Sequence, residues 1–333
     1  NGAEIFPGFI DMHGDMIEVE LEPRARVDFP MDVALNHLDM RLASSGVTTA
    51  YAGVSFSRGV RDGERRSFEH TSRVIREMPA ARQTTRVDHR IHARFDITFD
   101  KAVGVLGGLL AETRVDLVSL MDHTPGQRQF VDISKFETYI RGKRTYTDEQ
   151  WRRYLEFLYE LQTRLGTKHE AATVAAAQRL GATLASHDDT TADQVATSHS
   201  YGVRMAEFPT TIAAADACHA KGIATIMGAP NLIRGGSHSG NVAAAGLAQM
   251  DRLDILSSDY VPAGLLMAAV QLGDIWGDLA RGMRTVTDTP ALAVGLLDRG
   301  TLAIGQRADI IRFAIRDQTP ILQETWSAGK RVS

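Results

Sequence analysis

The chain has 333 residues, 44% of them hydrophobic and 23% charged, which is typical of a soluble globular protein with one large domain or two smaller ones. Its 37 Lys and Arg residues against 41 Asp and Glu residues give a net charge of -4, so no global basic field attracts nucleic acid or a membrane. A single cysteine, Cys218, excludes an internal disulfide, and no signal peptide or apolar run of the ~18 residues that span a membrane is recognisable, so we expect a cytoplasmic protein.

The first predicted element is a strand at residues 5–15, where an apolar run passes directly into residue types that bind metals. Such a run is typical of a buried parallel strand that ends at an active site. His13 and Asp15 are two residues apart, so on an extended strand both side chains leave the same face. Taken alone, the pair fits either a metal site or a hydrogen-bonded strand end.

The rest of the chain repeats a pattern of buried strand and amphipathic helix. The predicted helices include residues 30–46, 64–78, 99–112, 172–180 and 212–221. The further predicted strands are residues 47–54, 87–95, 115–121, 182–186, 203–206, 223–227 and 253–258. With the first strand this makes eight units, which predicts an α/β protein with a closed parallel (β/α)8 TIM-like barrel.

Two parts of the sequence depart from this repeat. Residues 124–165 form an insertion, polar up to residue 148 and then helical, which we interpret as a lid or binding loop. Residues 302–311 and 321–332 are predicted strands without helical partners, so they require a small additional sheet. Because the chain starts inside its first predicted barrel strand, we expect a segment before residue 1 to complete that sheet. The predicted domains are a barrel at residues 1–284 and a C-terminal helix with strands at 285–333.

Five predicted strands end on residue types that bind metals or act as general bases. They carry His13 with Asp15, Asp122 with His123, His187, Glu207 and Asp259. The carboxyl ends of barrel strands converge on one face, which is where such enzymes have their active sites. Each histidine alone also fits a structural role, but the recurrence favours a metal site. Nitrogen and oxygen donors without thiolate suit Zn, Mn, Fe or Ni, with zinc preferred, and such an ion activates water for attack.

Several motifs resemble the amidohydrolase superfamily. These are PGFIDMHGD at 7–15, the histidine after strand five, the aspartate after strand eight and GTLAIGQRAD at 300–309. The resemblance implies a barrel that binds one or two divalent metals and is flanked by a small β-sandwich of N- and C-terminal segments. Its metal ligands would be His13, Asp15, His123, His187, Glu207 and Asp259. The superfamily usually has His-x-His in the first motif and a histidine after strand six, where this chain has Asp15 and Glu207, so the number of ions stays open.

Longer motifs resemble one family within it, the α-D-ribose 1-methylphosphonate 5-triphosphate diphosphatases of the carbon–phosphorus lyase pathway. The motifs are SLMDHTPGQRQF at 119–130, SHDDT at 186–190, EFPTT at 207–211, MGAPNLIRGGSHSGN at 227–241 and SSDYVP at 257–262. The resemblance implies hydrolysis of the sugar triphosphate to the monophosphate and pyrophosphate in phosphonate breakdown. The partner would then be a small phosphorylated sugar, whereas a homo-oligomer is neither indicated nor excluded.

A triphosphate requires fixed donors, since the protein as a whole is mildly acidic. Residues 234–240 supply a guanidinium, hydroxyls and unshielded backbone N–H groups just before a helix predicted near residue 241. We therefore expect phosphate binding by Arg128, Arg234, Gly235, Gly236, Ser237, His238, Ser239 and Asn241, with Lys143, Arg144, Arg58 and Arg24 as further candidates. Alternatively, residues 234–240 form an ordinary turn, and the basic side chains are solvated at the surface. In the expected reaction Asp259 takes a proton from the attacking water, and His238 offsets charge on the leaving pyrophosphate.

Two other functions are consistent with the same sequence. One is a different amidohydrolase reaction, such as opening a cyclic amide or removing an N-acyl group, which needs activated water but no phosphate-binding segment. The other is a barrel that binds a phosphorylated sugar without catalysis, its metal site altered by Asp15 and Glu207. The native metal and the phosphorus that is attacked are not readable from the sequence.

Overall fold

Two sheets organise the computed structural model, which describes residues 2–24, 27–57, 68–108, 113–142, 145–237 and 240–333. A four-stranded antiparallel sheet begins with β1 (Ala3–Pro7). Eight parallel strands then follow one another in chain order around a nearly closed barrel. They are β2 (Phe9–Gly14), β3 (Val47–Phe56), β4 (Asp88–Asp96), β5 (Leu117–Met121), β6 (Thr183–His187), β7 (Met205–Glu207), β8 (Ala224–Gly228) and β9 (Ile255–Ser257). The predicted α/β barrel is confirmed, and a bridge between Gly14 and Asp259 joins its last strand to its first.

The first predicted strand is divided between the two sheets. Residues 3–7 pair antiparallel with a C-terminal strand, and only residues from Phe9 onward enter the barrel. The change of sheet occurs at Gly8, where a Cβ atom would lie 2.4 Å from the Thr48 side chain. The chain's own first residues therefore supply a strand of the small sheet, and the prediction that the chain starts inside its first barrel strand was wrong.

The C-terminal strands differ from the predicted ones in their limits. They are β10 (Ile310–Arg316), β11 (Thr319–Ser327) and β12 (Lys330–Arg331). Residues 302–309 form turns instead of a strand, with Gly305 at φ 90°. A two-residue turn with positive φ at both Asp317 and Gln318 connects β10 to β11, as in type I′ hairpins. Ile311 and Phe313 are buried in the main core, so this sheet packs onto the barrel.

Helices cover the outside of the barrel and bury the main apolar core against its strands. They are α1 (Ile17–Leu21), α2 (Met31–Ala43), α3 (Phe68–Ala81), α4 (Ala102–Gly107), α5 (Ile133–Arg141), α6 (Asp148–Leu180), α7 (Ala192–Ser200), α8 (Ile212–Ala220), α9 (Ala229–Arg234), α10 (Ala244–Gln249), α11 (Gly264–Trp276), α12 (Leu279–Arg284) and α13 (Asp288–Ala293). Within the described part of the chain, none of them is long and apolar enough to cross a membrane. The division of the chain at residue 284 stays a prediction.

The insertion is more helical than predicted. Its polar first part contains α5, and the two helices expected between residues 151 and 180 are one helix of 33 residues. Thr147 and Gln150 form a capping box that starts α6, because each side chain accepts a hydrogen bond from the other residue's backbone N–H. Phe130, Phe136 and Trp151 form a small core of their own. The insertion thus has a folded base against which α5 is held.

The barrel interior is apolar at the amino ends of the strands and polar at their carboxyl ends. Ile10, Met12, Tyr51 and Leu117 belong to a buried cluster that fills the lower half. Inward-facing residues of neighbouring strands form such layers in parallel barrels. This packing fills the amino end of the barrel with side chains, whereas the described residues at the carboxyl ends line a cavity.

A buried carboxylate between α2 and the start of β4 provides a test of the fold. Asp39 of α2 is fully buried and accepts hydrogen bonds from the Arg86 and Val87 amides at 3.0 and 2.9 Å and from His89 Nε2 at 3.0 Å. Burial opposes its ionisation, but the His89 and amide hydrogen bonds outweigh burial and lower its pKa.

We predict that Asp39→Ala lowers the free energy of unfolding by about 3 kcal/mol, because it leaves buried donors without an acceptor. Since the folded-state pKa is depressed, the stabilisation is present above the unfolded carboxyl pKa of about 4 and is lost as the pH falls through the folded value. Urea unfolding at pH 7 and at pH 3 measures both effects. Asp32→Ala, on the exposed first turn of the same helix, is the control and should cost under about 1 kcal/mol; equal effects of the two variants would contradict the prediction.

Candidate metal centre

The carboxyl ends of the barrel strands bring the six predicted metal ligands together. Among the described residues, three groups of side chains have ligand atoms within 4.8 Å of one another. The groups are His13, His187 and Glu207; His123, His187 and Asp188; and His13, Asp15 and Asp259. Every predicted ligand belongs to at least one group, and Asp188 is an additional member.

Glu207 connects two of the histidines. It is fully buried, and its two oxygens lie 2.9 Å from His13 Nδ1 and 3.0 Å from His187 Nδ1. Burial opposes its ionisation, but the charge of His13 and the hydrogen bonds from His13 and His187 outweigh burial and hold the pKa of Glu207 well below its usual range. Because an ionised carboxylate only accepts hydrogen bonds, both Nδ1 atoms must carry the protons that they donate.

The two neighbouring histidines have opposite protonation tendencies. Burial disfavours the charged form of His13, but the charge of Glu207 outweighs burial and raises its pKa to about 9. Burial lowers the pKa of His92 to about 3, so this side chain is neutral at pH 7. His92 Nε2 lies 2.9 Å from Ser119 Oγ and 3.4 Å from Glu207 Oε1. His92 therefore contributes a polar contact to the buried carboxylate and no charge.

Arg94 of β4 reaches into the same space. Its Nη1 donates to the two oxygens of Asp15 at 2.6 and 2.7 Å, and its Nη2 lies 3.4 Å from His187 Nε2. The side chain is almost fully buried, so this ion pair lies in a low-dielectric environment. Asp15 is thus shared between a guanidinium and the donor group that contains His13 and Asp259.

His123 forms the corner of the centre on the side of β5. Its Nδ1 lies 3.0 Å from Asp96 Oδ2. Burial opposes the ionisation of Asp96, but the hydrogen bond and charge of His123, with the hydrogen bonds from Thr98, outweigh burial and lower the pKa of Asp96. The adjacent Asp122 turns away, because its oxygens accept hydrogen bonds from Thr124 N at 3.0 Å and Gln127 Nε2 at 2.7 Å. Of the predicted pair at this strand end, only His123 faces the cavity.

Asp259 is positioned by the closure of the barrel. Its backbone N–H donates to His13 O at 2.9 Å, and its carbonyl accepts from Asp15 N at 2.7 Å. The residue has φ 57°, a left-handed conformation that aspartate tolerates better than most residues. Burial raises the pKa of its carboxyl group, and the nearby charge of His13 counteracts this. A raised pKa makes the ionised group a better proton acceptor.

Metal-type donors line a cavity of about 300 Å³ at the mouth of the barrel, namely His13, Asp15, His123, His187, Asp188 and Asp259. Hydrogen-bonding and cationic groups from the segment after β8 and from the insertion line the same cavity. They include Arg234, Gly236, Ser237, Asn231, Asn241, Gln129 and Tyr139. The cavity therefore combines metal-type donors with a wall of groups that suits an anion.

The glycine-rich segment differs from its predicted form. Residues 229–234 form α9, and Gly235 ends it in the left-handed conformation at φ 78°. Arg234 is therefore the last residue of a helix and Gly236 follows it, whereas the predicted helix after this segment is α10, which starts at Ala244. The negative end of the α9 dipole faces the segment. Anion binding here must come from the guanidinium and from local donors. His238 and Ser239 lie outside the described residues.

Among the described residues, two other predicted cationic side chains, Arg128 and Arg24, do not line the cavity. Arg128 Nη1 donates to His187 O at 2.9 Å and to Asp189 Oδ1 at 2.7 Å, so it holds the end of β6. Arg24 forms a backbone bridge with Val27 on an exposed segment. The candidates Arg58, Lys143 and Arg144 lie outside the described residues. Of the predicted arginines that the structure describes, Arg234 alone lines the cavity.

Sequence reasoning assigned no role to Arg94, Asp188 or Tyr139, although all three line the cavity. The signal for Arg94 was present in the alternation of His92, Arg94 and Asp96, since every second residue of a barrel strand faces the interior. Tyr139 had no comparable signal, because its position depends on how the insertion folds back over the barrel.

Comparison with characterised proteins gives one close sequence relative. The chain is 40% identical over 336 residues to alpha-D-ribose 1-methylphosphonate 5-triphosphate diphosphatase of Escherichia coli (strain K12). The match covers 99% of this chain and 88% of that protein. No family model matches the chain.

Solved structures of lower identity share the fold. N-isopropylammelide isopropylaminohydrolase from Burkholderia multivorans ATCC 17616 has a TM-score of 0.64 at 16% identity, with 99% of this chain and 86% of that one covered. Dihydropyrimidinase from Brevibacillus agri NCHU1002 has a TM-score of 0.61 at 10% identity, covering 99% and 85%. An adenosine deaminase from Xanthomonas campestris with bound zinc has a TM-score of 0.54 at 15% identity, covering 99% and 80%. These similarities establish the type of barrel.

The donor chemistry fits a divalent transition metal. Imidazole nitrogens and carboxylate oxygens bind such ions at 2.0–2.2 Å, so ligand atoms of one site lie no more than about 4.4 Å apart. The spread of up to 4.8 Å within each group is close to this limit. The only cysteine, Cys218, is buried on α8 and does not line the cavity. His13, Asp15 and Asp259 on one side and His123 with His187 on the other are the residues that would hold an ion.

We predict that His13→Ala weakens zinc binding more than about 100-fold, because His13 belongs to two of the three donor groups. Elemental analysis of purified protein and titration against a chelating dye measure the effect. His219→Ala, on the exposed end of α8, is the matched control and should retain the wild-type affinity. Equal zinc affinity of the two variants would remove His13 from the metal site.

Proposed function

Because the chain belongs to the alpha-D-ribose 1-methylphosphonate 5-triphosphate diphosphatase family of the amidohydrolase superfamily, we propose that it cleaves this triphosphate to the 5-phosphate and pyrophosphate. A hydrolase role in phosphonate breakdown agrees with the identity of 40% over nearly the whole chain. The observation that supports this specific reaction is a single cavity that is lined both by metal-type donors and by the anion-binding wall.

The proposal places the triphosphate along the wall that carries Arg234. A guanidinium forms charge-assisted hydrogen bonds with phosphate oxygens, and Ser237, Asn231 and Asn241 add neutral donors. Arg94 of β4 lines the same cavity and donates a hydrogen bond to Asp15. Since the net charge of the protein is -4, these local groups must provide the attraction for the substrate.

In the proposed reaction, water attacks a phosphorus of the triphosphate in line as the anhydride bond between the 5-phosphate and the pyrophosphate breaks. A divalent ion would supply a Lewis acid that lowers the pKa of water. We propose zinc by preference, or Mn, Fe or Ni, with one or two ions per chain. Asp259 accepts the proton of the attacking water, for which its raised pKa is suited. Arg234 stabilises the charge that develops on the leaving group. The role of His238 on the same group stays a prediction.

The main alternative is hydrolysis of a cyclic or N-acyl amide by the same donor groups. Such substrates carry much less negative charge than a triphosphate, so a guanidinium with several neutral donors in the same cavity favours the triphosphate. A sugar-phosphate-binding barrel without catalysis would need no proton acceptor beside the metal donors, whereas Asp259 lies there. Release of pyrophosphate from the triphosphate, compared with hydrolysis of dihydrouracil and N-acetylated amino acids, distinguishes the three functions.

We predict that Asp259→Asn lowers kcat for pyrophosphate release by about 100- to 10,000-fold, because the amide cannot accept the proton. Asparagine also tolerates the left-handed backbone, so the melting temperature should change little. Bound metal, measured on the same sample, should also be largely retained. Turnover close to that of the wild type would exclude Asp259 as the general base.

Arg234→Ala should raise KM for the triphosphate by about 10- to 100-fold, since a hydrogen bond to a charged group contributes roughly 1.5–3 kcal/mol. Steady-state kinetics with the triphosphate and with the corresponding 5-diphosphate show whether the loss depends on the number of phosphates. The control is Arg316→Ala, which removes an exposed arginine of the small sheet. An unchanged KM in Arg234→Ala would contradict the proposed orientation of the substrate.

A further inference from the structure

Glu207 lies behind the histidines that face the cavity. His13, His187, Asp15 and Asp259 all line the cavity, whereas Glu207 does not and is 0% exposed. It lies directly beside His187 in the barrel, because the two residues are paired across β6 and β7. From there its carboxylate reaches across the barrel interior to His13. Its contacts are therefore with the deep side of the imidazole rings.

The two imidazole rings have a common orientation. They are stacked with centroids 5.7 Å apart and an interplanar angle of 20°. Phe208 packs edge-on against both rings, with centroid distances of 4.9 Å to His13 and 5.5 Å to His187. Its φ of 56° is unusual for a bulky residue, so the chain directly after Glu207 adopts a strained conformation that brings this ring against the histidines.

The Nε2 atoms of both histidines are directed toward the other donor groups. His13 Nε2 lies 3.5 Å from Asp15 Oδ1, and His187 Nε2 lies 3.3 Å from Asp188 Oδ2. Both Nδ1 atoms are used by Glu207. A metal in the cavity therefore meets Nε2 of each ring, while Nδ1–H is held from behind.

We propose that Glu207 is a positioning residue, which fixes the Nδ1–H tautomer of His13 and His187 together and presents both Nε2 atoms to the metal. This inference rests on the proposed metal site and assigns Glu207 a role different from that of a ligand. Metal-binding histidines commonly donate their second N–H to a carboxylate, which raises ligand basicity and sets the ring orientation. In this chain one carboxylate serves two ligands.

The chemistry of the side chain explains why glutamate is needed. A carboxylate accepts two hydrogen bonds on two equivalent oxygens. The amide of glutamine accepts on its oxygen only, so its NH2 group would face the second Nδ1 as a donor. That histidine would have to move its proton to Nε2, where it blocks metal binding. Glu207→Gln thus keeps the volume but removes the negative charge and one of the two acceptors.

The first test uses the wild-type protein and needs no variant. A crystal structure of the zinc-loaded protein should show the ion on Nε2 of His13 and His187, with the Glu207 oxygens at hydrogen-bond distance from both Nδ1 atoms. Zinc coordinated by Glu207 or by either Nδ1 atom would overturn this inference while leaving the proposed function intact. A cavity without zinc in that crystal would overturn both the inference and the proposed metal site.

The second test measures zinc affinity and metal-free stability separately. Glu207→Gln should bind zinc about 10- to 100-fold more weakly, the usual effect of losing a partner of a metal-binding histidine. Its metal-free form should stay folded, with a lower melting temperature because the buried charge beside His13 is lost. Glu170→Gln is the control, because Glu170 accepts a hydrogen bond from Tyr201 Oη at 3.2 Å and does not line the cavity. Zinc affinity of Glu207→Gln equal to that of Glu170→Gln would overturn the inference.

Discussion

The active-site end of the molecule depends on the seam where the last barrel strand meets the first. Asp11 accepts hydrogen bonds from the backbone N–H of Ser258 at 2.9 Å and from its hydroxyl group. One residue further along, the backbones of His13 and Asp15 exchange hydrogen bonds with Asp259. Residues almost 250 positions apart in the chain are thereby fixed side by side. The same bonds close the barrel and assemble one donor group, so the stability of the seam and the geometry of the metal site are coupled.

Buried charge is the second constraint on this end of the barrel. Asp15, Glu207 and Asp259 bring three carboxylates into a region whose fixed cation is Arg94. In a low-dielectric interior each carboxylate needs a partner close by. Glu207 has such a partner in His13, whereas at Asp259 burial outweighs the nearby charges of His13 and Arg94 and raises the pKa. A divalent ion would add positive charge beside Asp259.

The chemistry of the site is divided between rigid strands and variable connections. Barrels with a TM-score above 0.5 to this one carry names as different as dihydropyrimidinase and adenosine deaminase, which shows that the strand framework alone does not determine the substrate. In this chain the anion-binding wall of the cavity comes from the segment after β8 and from the insertion with α5. The separate aromatic core of the insertion gives α5 a fixed base, so Tyr139 can be held over the cavity.

The sequence by itself determined the barrel and most of its metal-type donors. Apolar runs that end in His13, His187 or Asp259 report both a buried strand and the direction of its carboxyl end, because parallel strands all point the same way. Local patterns also predicted several of the helices, but not those within glycine-rich or polar sequence, such as α9 and α5. α9 packs onto the main core and α5 onto the insertion's own core, and no local pattern records these contacts.

Only the tertiary structure decided how the donors are arranged. That Arg94 holds Asp15, that Arg128 holds the end of β6 and that Glu207 lies behind two histidines follow from contacts between distant strands. The division of residues 3–14 between two sheets likewise depends on a partner strand more than 300 residues away. A residue type at a strand end shows which atoms are available, but the closed barrel determines which of them face the cavity and which face each other.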